Sequence, residues 1–186
     1  ILTPREISQV LDVVAKKQYP LRNKVMVLLS LKAGLRAKEI ASITWSMVTN
    51  ASGEVSDYLQ MPDNVTKGKS GRTIPLNSEL KQTLVDLWIE RKPRPDQNIV
   101  FSQRGSKLRT DEISAWFKRI FRTLRLDGCS SHSGRRTFIT NLAKRIVEAG
   151  GSLRDVQQLA GHSSLSMTQS YIEGNTEAKQ RVVNLI

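Results

Sequence analysis

The stretch HSGRRTFIT, residues 132–140, begins with one of the two histidines in this chain of 186 residues. His132 and Arg135 are three positions apart, so they share one face at the start of the helix that this stretch predicts. Such a pair is either a solvated cluster on the protein surface or half of a catalytic site. The stretch alone is compatible with both possibilities, so the neighbouring segments must decide between them.

Helical patterns cover most of the chain. The first helix begins with Thr3 as N-cap, Pro4 at the first helical position and Glu6 completing a capping box, and it ends before Tyr19 and Pro20. Apolar periodicity and capping residues predict further helices over 21–34, 37–43, 78–90, 110–124, 133–149, 153–160 and 164–173, and a tail helix from residue 175 onward.

A β-like segment interrupts these helices between residues 54 and 77. Three short runs, DYLQM (57–61), NVT (64–66) and RTIPL (72–76), are separated by PDN and by the glycine-rich KGKSG. The simplest interpretation is a small antiparallel β-sheet with Lys67 in its turn. We therefore predict a mainly α fold with one small antiparallel sheet, of the α+β class. No change in composition indicates a second domain, so we expect residues 1–186 to form one domain.

The net charge is the first indication of function. The chain has 29 Lys and Arg against 17 Asp and Glu, a formal charge of +12, and the excess is spread along the sequence. A folded domain this basic usually binds a polyanion, most often a nucleic acid. The alternative at this point is a highly soluble protein with a scattered basic surface.

Composition also narrows the chemistry. The single cysteine, Cys129, excludes an internal disulfide, suits a reducing compartment and is expected to be a small buried apolar residue. No zinc-site spacing and no P-loop pattern is present, so we expect no metal, ATP or other cofactor. No apolar run approaches the length of a membrane span, which predicts a cytoplasmic protein without a membrane partner. Because the chain begins with Ile1 rather than Met, we expect processing or an excised domain with an N-terminal part missing.

Several other polar residues lie at sharp turns between predicted elements. Taken singly, each has an ordinary explanation: a surface ion pair, a solvated turn lysine, a turn histidine held by backbone groups, or a half-buried ring on a helix. These residues are Arg36 and Glu39 at the entry to the third helix, Lys67 in the hairpin turn, His162 after a glycine, and Tyr171 nine positions later.

Taken together and in order, these segments resemble the tyrosine recombinase (phage integrase) family. AGLRAKEI (33–40) resembles the first box of the family, TKGKSGRTIPL (66–76) its β-hairpin, HSGRR (132–136) its HxxR box, and LAGHSSLSMTQSY (159–171) its final box. The resemblance runs from LTPREI almost to the last residue. It implies a catalytic set of Arg36, Lys67, His132, Arg135, His162 and Tyr171, with Glu39 in support.

The chain departs from the family pattern at three positions. The family commonly has leucine and histidine where this chain has Gly134 and Arg136, and leucine where it has Ala160. None of these is a chemical position, so the departures leave open how the helix packs rather than which reaction occurs. Arg136 either contacts a phosphate or is solvated.

The resemblance implies that Tyr171 attacks a DNA phosphodiester and forms a 3′-phosphotyrosine. Two arginines, Arg36 and Arg135, would clamp the non-bridging oxygens through forked donors that are always protonated. Tyrosine has an ordinary pKa of about 10, so the nucleophile needs a proton acceptor. The remaining roles are assigned as follows: His132 as general base, His162 as a hydrogen-bond partner of the scissile phosphate, Lys67 as the acid for the leaving 5′-oxygen, and Glu39 as the residue that orients Arg36.

The same resemblance implies the partners and leaves some alternatives open. We expect double-stranded DNA as substrate, a tetramer assembled on DNA, no small-molecule ligand and an association with the nucleoid. The tail, residues 175–186, either folds back on its own domain or packs on a neighbouring protomer. The chain is an excised catalytic domain or a natural short form like the fimbrial-switch recombinases. Two other functions remain: a type IB topoisomerase-like nicking and resealing enzyme, and a non-catalytic DNA-binding protein that keeps the fold.

Overall fold

A computed structural model of the chain describes residues 1–66 and 71–171. Within these ranges the elements follow in the order α1 (Pro4–Ala15), α2 (Pro20–Lys32), α3 (Ala37–Ser42), a 3₁₀ turn (Trp45–Met47), β1 (Tyr58–Met61), β2 (Arg72–Pro75), α4 (Ser78–Arg91), α5 (Thr110–Thr123), α6 (Ser133–Arg145), α7 (Leu153–Ala160) and α8 (Leu165–Gln169). The predicted fold class, mainly α with one small antiparallel sheet, is confirmed.

The first helix forms as its sequence predicts. The Thr3 side chain accepts a hydrogen bond from the Glu6 backbone N–H, and the Glu6 carboxylate accepts one from the Thr3 N–H, so the capping box is complete. Such a cap contributes about 1 kcal/mol to stability. The preceding Leu2 is buried, and its N–H donates to Thr137 Oγ1 at 2.7 Å. These contacts fix the start of the chain against α6.

Helix α2 is the centre of the domain. Its residues from Val25 to Leu31 are all buried, so the helix is enclosed on every side rather than amphipathic. It packs against α1, α3, α4 and α6. Two of the helices that carry the candidate site, α3 and α6, are therefore arranged around one buried helix.

The sheet is a two-stranded antiparallel hairpin. Its register pairs Tyr58 with Pro75, Leu59 with Ile74, and Met61 with Arg72. The run NVT, predicted as β-like, is instead a turn, because Val65 and Thr66 donate their N–H groups to the carbonyls of Pro62 and Asp63. The predicted turn residue Lys67 lies outside the described residues.

Two helices end four residues before the predicted position, and the predicted tail helix lies outside the described residues. Helix α6 was predicted to reach residue 149 but ends at Arg145, and turns continue to Gly150, where a φ of +78° lets Gly151 donate back to the Ile146 carbonyl. Helix α8 ends at Gln169, whereas the sequence predicted a helix to residue 173, of which 172 and 173 are not described.

The core has two parts. The larger surrounds α2, and the smaller joins α6 to α7 through Ile139, Ala143, Val156 and Ala160, with the ring of Tyr171 packed against it. Cys129 is half-buried at the edge of the larger core rather than fully buried as expected. Among the described helices, none is long and apolar enough to cross a membrane.

Glycine at position 134 has a packing reason. A Cβ atom built on Gly134 would clash with the Ser30 hydroxyl, so the start of α6 lies closer to α2 than a larger residue permits. This contact leaves no room for the leucine that is common in the family. The packing of α6, which the sequence left open, is thus adapted to a small residue.

Replacing Gly134 with leucine should therefore destabilise the protein. We expect the free energy of unfolding of Gly134→Leu to fall by about 1–3 kcal/mol, because overpacking forces the helices apart. Urea denaturation followed by circular dichroism measures the change. Ala115→Leu on the exposed face of α5 is the control, and equal stability of the two variants would contradict the close packing of α6 on α2.

Candidate active site

The candidate site lies where four segments meet. These segments are the turn between α2 and α3, the first residue of β2, the beginning of α6, and the turn between α7 and α8. Arg135 connects three of them, because its Nη1 donates to the Gly34 carbonyl at 2.6 Å and its Nη2 to the Ala160 carbonyl at 2.7 Å. One guanidinium therefore contacts residues that are 101 and 25 positions away from it in the sequence.

Arg135 is a buried cation, only 4% exposed. Burial, reinforced by the nearby charge of Arg36, lowers the pKa of Arg135 to about 10, while Glu39 and Tyr171 oppose the shift. The side chain therefore remains protonated at neutral pH. Two of its five N–H groups bind carbonyls, and the other three make no hydrogen bond within the described part of the chain. Those three donors remain for an anionic ligand.

The Arg36–Glu39 pair is not an ordinary surface ion pair. Glu39 is 1% exposed, and its carboxylate accepts hydrogen bonds from the Arg36 backbone N–H at 2.8 Å and from Arg36 Nη1 at 3.2 Å. The guanidinium of Arg36 is partly exposed, and its Nη2 lies 3.5 Å from the Gly161 carbonyl. Glu39 thus fixes the backbone and one side-chain nitrogen of Arg36, while part of its guanidinium stays accessible to solvent.

Arg72 is a site residue that the sequence interpretation missed. Its Nη1 and Nη2 donate to the two carboxylate oxygens of Glu39 at 3.0 and 3.1 Å, and its Nε donates to the Leu159 carbonyl at 3.1 Å. Burial alone would raise the pKa of Glu39, but the hydrogen bonds and charge of Arg72, with those of Arg36, lower it below its ordinary value. A signal was present, because Arg72 is two positions before the buried Ile74 and so shares its face of the strand.

His162 is buried next to these cations. It follows Gly161, which ends α7 with a φ of +62°, and its Nδ1 lies 3.0 Å from Oγ1 of the fully buried Thr168. Burial, followed by the charges of Arg135, Arg36 and Arg72, lowers the pKa of His162 to about 4. The imidazole is therefore neutral at pH 7, and Thr168 is its hydrogen-bond partner. Thr168 was also missed, since a single threonine on a short helix carries no distinctive pattern.

The ring of Tyr171 stacks on the ring of His162. Their centroids are 5.7 Å apart and their planes are inclined by 22°. Tyr171 is half-buried and packs against the small core between α6 and α7. The structure thus brings together four of the predicted residues, Arg36, Arg135, His162 and Tyr171, around the turn between α7 and α8.

Among the described residues, the predicted site residue His132 is not part of this contact network. His132 is exposed at the N-cap of α6, and its side chain makes no capping hydrogen bond. Among the described residues, no hydrogen bond joins the His132 side chain to Tyr171. Arg136, the neighbour of Arg135, is exposed, and Lys67 lies outside the described residues.

The fold is that of a tyrosine recombinase catalytic domain. Among solved structures, the fold is similar to XerA recombinase, with a TM-score of 0.74, 20% identity, and coverage of 99% of this chain and 64% of that one. It is also similar to the XerH site-specific recombinase bound to palindromic difH substrate, with a TM-score of 0.75, 21% identity, and coverage of 98% and 51%.

The chain belongs to the phage integrase family, whose sequence model matches residues 1–178. It is 30% identical over 171 residues to tyrosine recombinase XerC of Rickettsia prowazekii (strain Madrid E), covering 90% of this chain and 52% of that protein. It is 29% identical over 174 residues to XerC of Shewanella amazonensis (strain ATCC BAA-1098 / SB2B), covering 91% and 55%. The chain spans about half the length of these relatives. The family resemblance inferred from the sequence is confirmed.

The lowered pKa of His162 has a consequence for stability. Since the folded state resists protonation of His162 and the unfolded state does not, stability present at neutral pH should be lost as the pH falls from about 6.5 towards about 4. Nuclear magnetic resonance titration can follow the two histidines separately, with a His132→Gln variant to assign them. A His162 resonance that titrates near pH 6.5 would contradict the buried neutral ring.

The hydrogen bond between Thr168 and His162 gives a second prediction. Thr168→Val keeps the shape but removes the hydroxyl, so Nδ1 of the buried ring loses its partner, and the free energy of unfolding should fall by about 1–3 kcal/mol. The ¹⁵N shifts of His162 should also change, because the hydroxyl influences which ring nitrogen carries the proton. Thr73→Val on the exposed face of β2 is the matched control. Unchanged shifts in Thr168→Val would show that the hydroxyl does not bind the ring.

Proposed function

We propose that this chain is the catalytic domain of a site-specific DNA recombinase, an integrase that cleaves and rejoins DNA through a 3′-phosphotyrosine at Tyr171. One observation carries the proposal. Arg36 and Arg135 donate hydrogen bonds to the Gly161 and Ala160 carbonyls, directly before His162 in the sequence. The ring of His162 in turn stacks on the ring of Tyr171. A nucleophile, a neutral hydrogen-bonding ring and two forked cations at one place suit phosphoryl transfer.

The charge balance supports an anionic substrate. Three guanidiniums, those of Arg36, Arg72 and Arg135, surround the single carboxylate of Glu39. After burial, the charges of Arg36 and Arg72 contribute to the lowered pKa of Arg135, and the charges of all three guanidiniums contribute to that of His162. A phosphodiester would relieve the repulsion between these charges, and it gains negative charge on its non-bridging oxygens as the phosphorus becomes pentacoordinate. The cluster therefore favours the transition state over the free substrate.

Each residue then has a role in the reaction. The Tyr171 Oη attacks phosphorus, the bond from phosphorus to the 5′-oxygen breaks, and Lys67 supplies the proton that this oxygen takes up. His132 accepts the proton of Tyr171, and the nearby guanidinium of Arg135 stabilises the phenolate. Neutral His162 donates a hydrogen bond to the phosphate from Nε2 when Thr168 donates to Nδ1. Attack by a 5′-hydroxyl reverses these steps, so neither metal nor ATP is needed.

The partners follow from this reaction and from the relatives. Similar solved structures include the Tn1549 transposon integrase in complex with a circular intermediate DNA and XerH bound to difH substrate. We propose double-stranded DNA as the partner of this chain, a tetramer as the assembly on DNA, and the cytoplasm, in association with the nucleoid, as its location. The tail, residues 175–186, would pack on a neighbouring protomer, and an N-terminal domain would clasp the opposite side of the duplex.

The first test is covalent trapping on nicked duplexes, from which the 5′ end of the broken strand diffuses away. A pool of candidate attachment sequences from near the gene serves as substrate. We expect a protein–DNA adduct at Tyr171 by denaturing gel and mass spectrometry. Tyr171→Phe should lose the adduct completely and keep its DNA affinity, because the substitution removes only the attacking oxygen. Tyr58→Phe, which changes an exposed tyrosine on β1, is the matched control and should form the adduct normally.

Other outcomes would favour the alternatives. Relaxation of supercoiled DNA regardless of sequence indicates a topoisomerase-like enzyme. Binding that weakens steeply with salt but yields no adduct indicates a DNA-binding protein that keeps the fold without the reaction. An adduct that persists in Tyr171→Phe would reject Tyr171 as the nucleophile.

A further inference from the structure

We propose that Arg72 is a positioning residue, which holds Arg36 and the turn carrying His162 in one fixed geometry without touching DNA. The inference rests on the proposed function and adds a residue to it. Arg72 connects three segments through one guanidinium: β2, on which it lies, helix α3 through Glu39, and the end of α7 through the Leu159 carbonyl.

The contacts of Arg72 argue against a direct role on phosphate. Its side chain is 6% exposed, and three of its five N–H groups are used inside the protein. Arg135 is equally enclosed, but its two hydrogen bonds go to neutral carbonyls, which leaves its charge for an anionic ligand. The charge of Arg72 is instead paired with the carboxylate of Glu39, as suits a positioning residue.

The effect of Arg72 on Arg36 passes through a shared carboxylate. Both oxygens of Glu39 are held by the fork of Arg72, and the same two oxygens accept the Arg36 backbone N–H and Nη1. A fork-to-fork pair fixes the plane of the carboxylate as well as its position. The direction in which Glu39 holds Arg36 is therefore set by Arg72.

The effect of Arg72 on His162 passes through backbone packing. A Cβ atom built on Gly161 would lie 2.6 Å from Nη1 of Arg72, so the turn before His162 rests directly on the guanidinium. Two residues earlier, near the end of α7, the Leu159 carbonyl accepts a hydrogen bond from Arg72 Nε. Lysine at position 72 could keep the charge but could not make the fork and the Nε bond together.

Arg72→Lys separates geometry from charge. We expect the rate of adduct formation on the pooled nicked duplexes to fall on the order of 10- to 100-fold, as displaced catalytic groups do, with DNA affinity unchanged within about twofold. The pKa of His162 should remain low in Arg72→Lys and rise in Arg72→Met, because only the latter removes the charge. Arg94→Lys, an exposed arginine paired with Asp96, is the matched control and should react normally.

Each result decides the inference. If wild type forms the adduct, Tyr171→Phe does not, and Arg72→Lys reacts at the wild-type rate, the proposed function stands and the positioning role is wrong. If DNA affinity falls together with the rate, Arg72 contacts DNA and the role is also wrong. Should Arg72→Lys not fold, as judged by circular dichroism, Glu39→Gln must show the same loss of rate at constant affinity. If wild type forms no adduct, the proposed function fails, and ¹⁵N shifts of His162 that are the same in Arg72→Lys as in wild type overturn the inference independently, because a displaced turn must change the surroundings of the ring.

Discussion

The buried carboxylate of Glu39 is the interaction on which the site depends. Moving a carboxylate out of water costs several kcal/mol, and only well-formed partners offset that cost. Glu39 receives four hydrogen bonds, two from Arg36 and two from Arg72. Because it is enclosed, removing any donor leaves part of a charge unsatisfied. The carboxylate can therefore fix the directions of both guanidiniums more strictly than a surface ion pair could.

Close backbone approach is the second condition for this arrangement. Glycines stand where three segments meet side chains from elsewhere: Gly34 beneath the ring of Phe138, Gly134 against Ser30, and Gly161 against Arg72. Gly34 and Gly161 also have a positive φ, which glycine adopts without strain. The carbonyl of Gly34 and that of Ala160, just before Gly161, accept the hydrogen bonds of Arg135. The glycines thus bring the backbone acceptors to the arginine.

The sequence predicted the fold and part of the site for different physical reasons. Helix boundaries followed from local signals, such as the Thr3 capping box, and failed where turns after Arg145 continued the apolar pattern. The family motifs located Arg36, Arg135, His162 and Tyr171. Arg72 and Thr168 escaped because their function lies in contacts with residues far along the chain or in the orientation of one hydroxyl. No local pattern encodes such partners, although the alternation of β2 placed Arg72 on the buried face.

In the proposed reaction, the buried residues keep one protonation state, whereas the residue that transfers a proton is exposed. Arginines stay protonated at any physiological pH, so Arg135 can be almost completely enclosed and still supply its charge. A residue that accepts a proton in every turnover must also release it, to the tyrosine or to solvent. His132, the proposed base, is exposed, whereas His162 is buried and neutral and can serve as a hydrogen-bond donor without changing its protonation. The two histidines of the chain are therefore not interchangeable: burial next to three guanidiniums fits His162 for a fixed role, and exposure fits His132 for proton transfer.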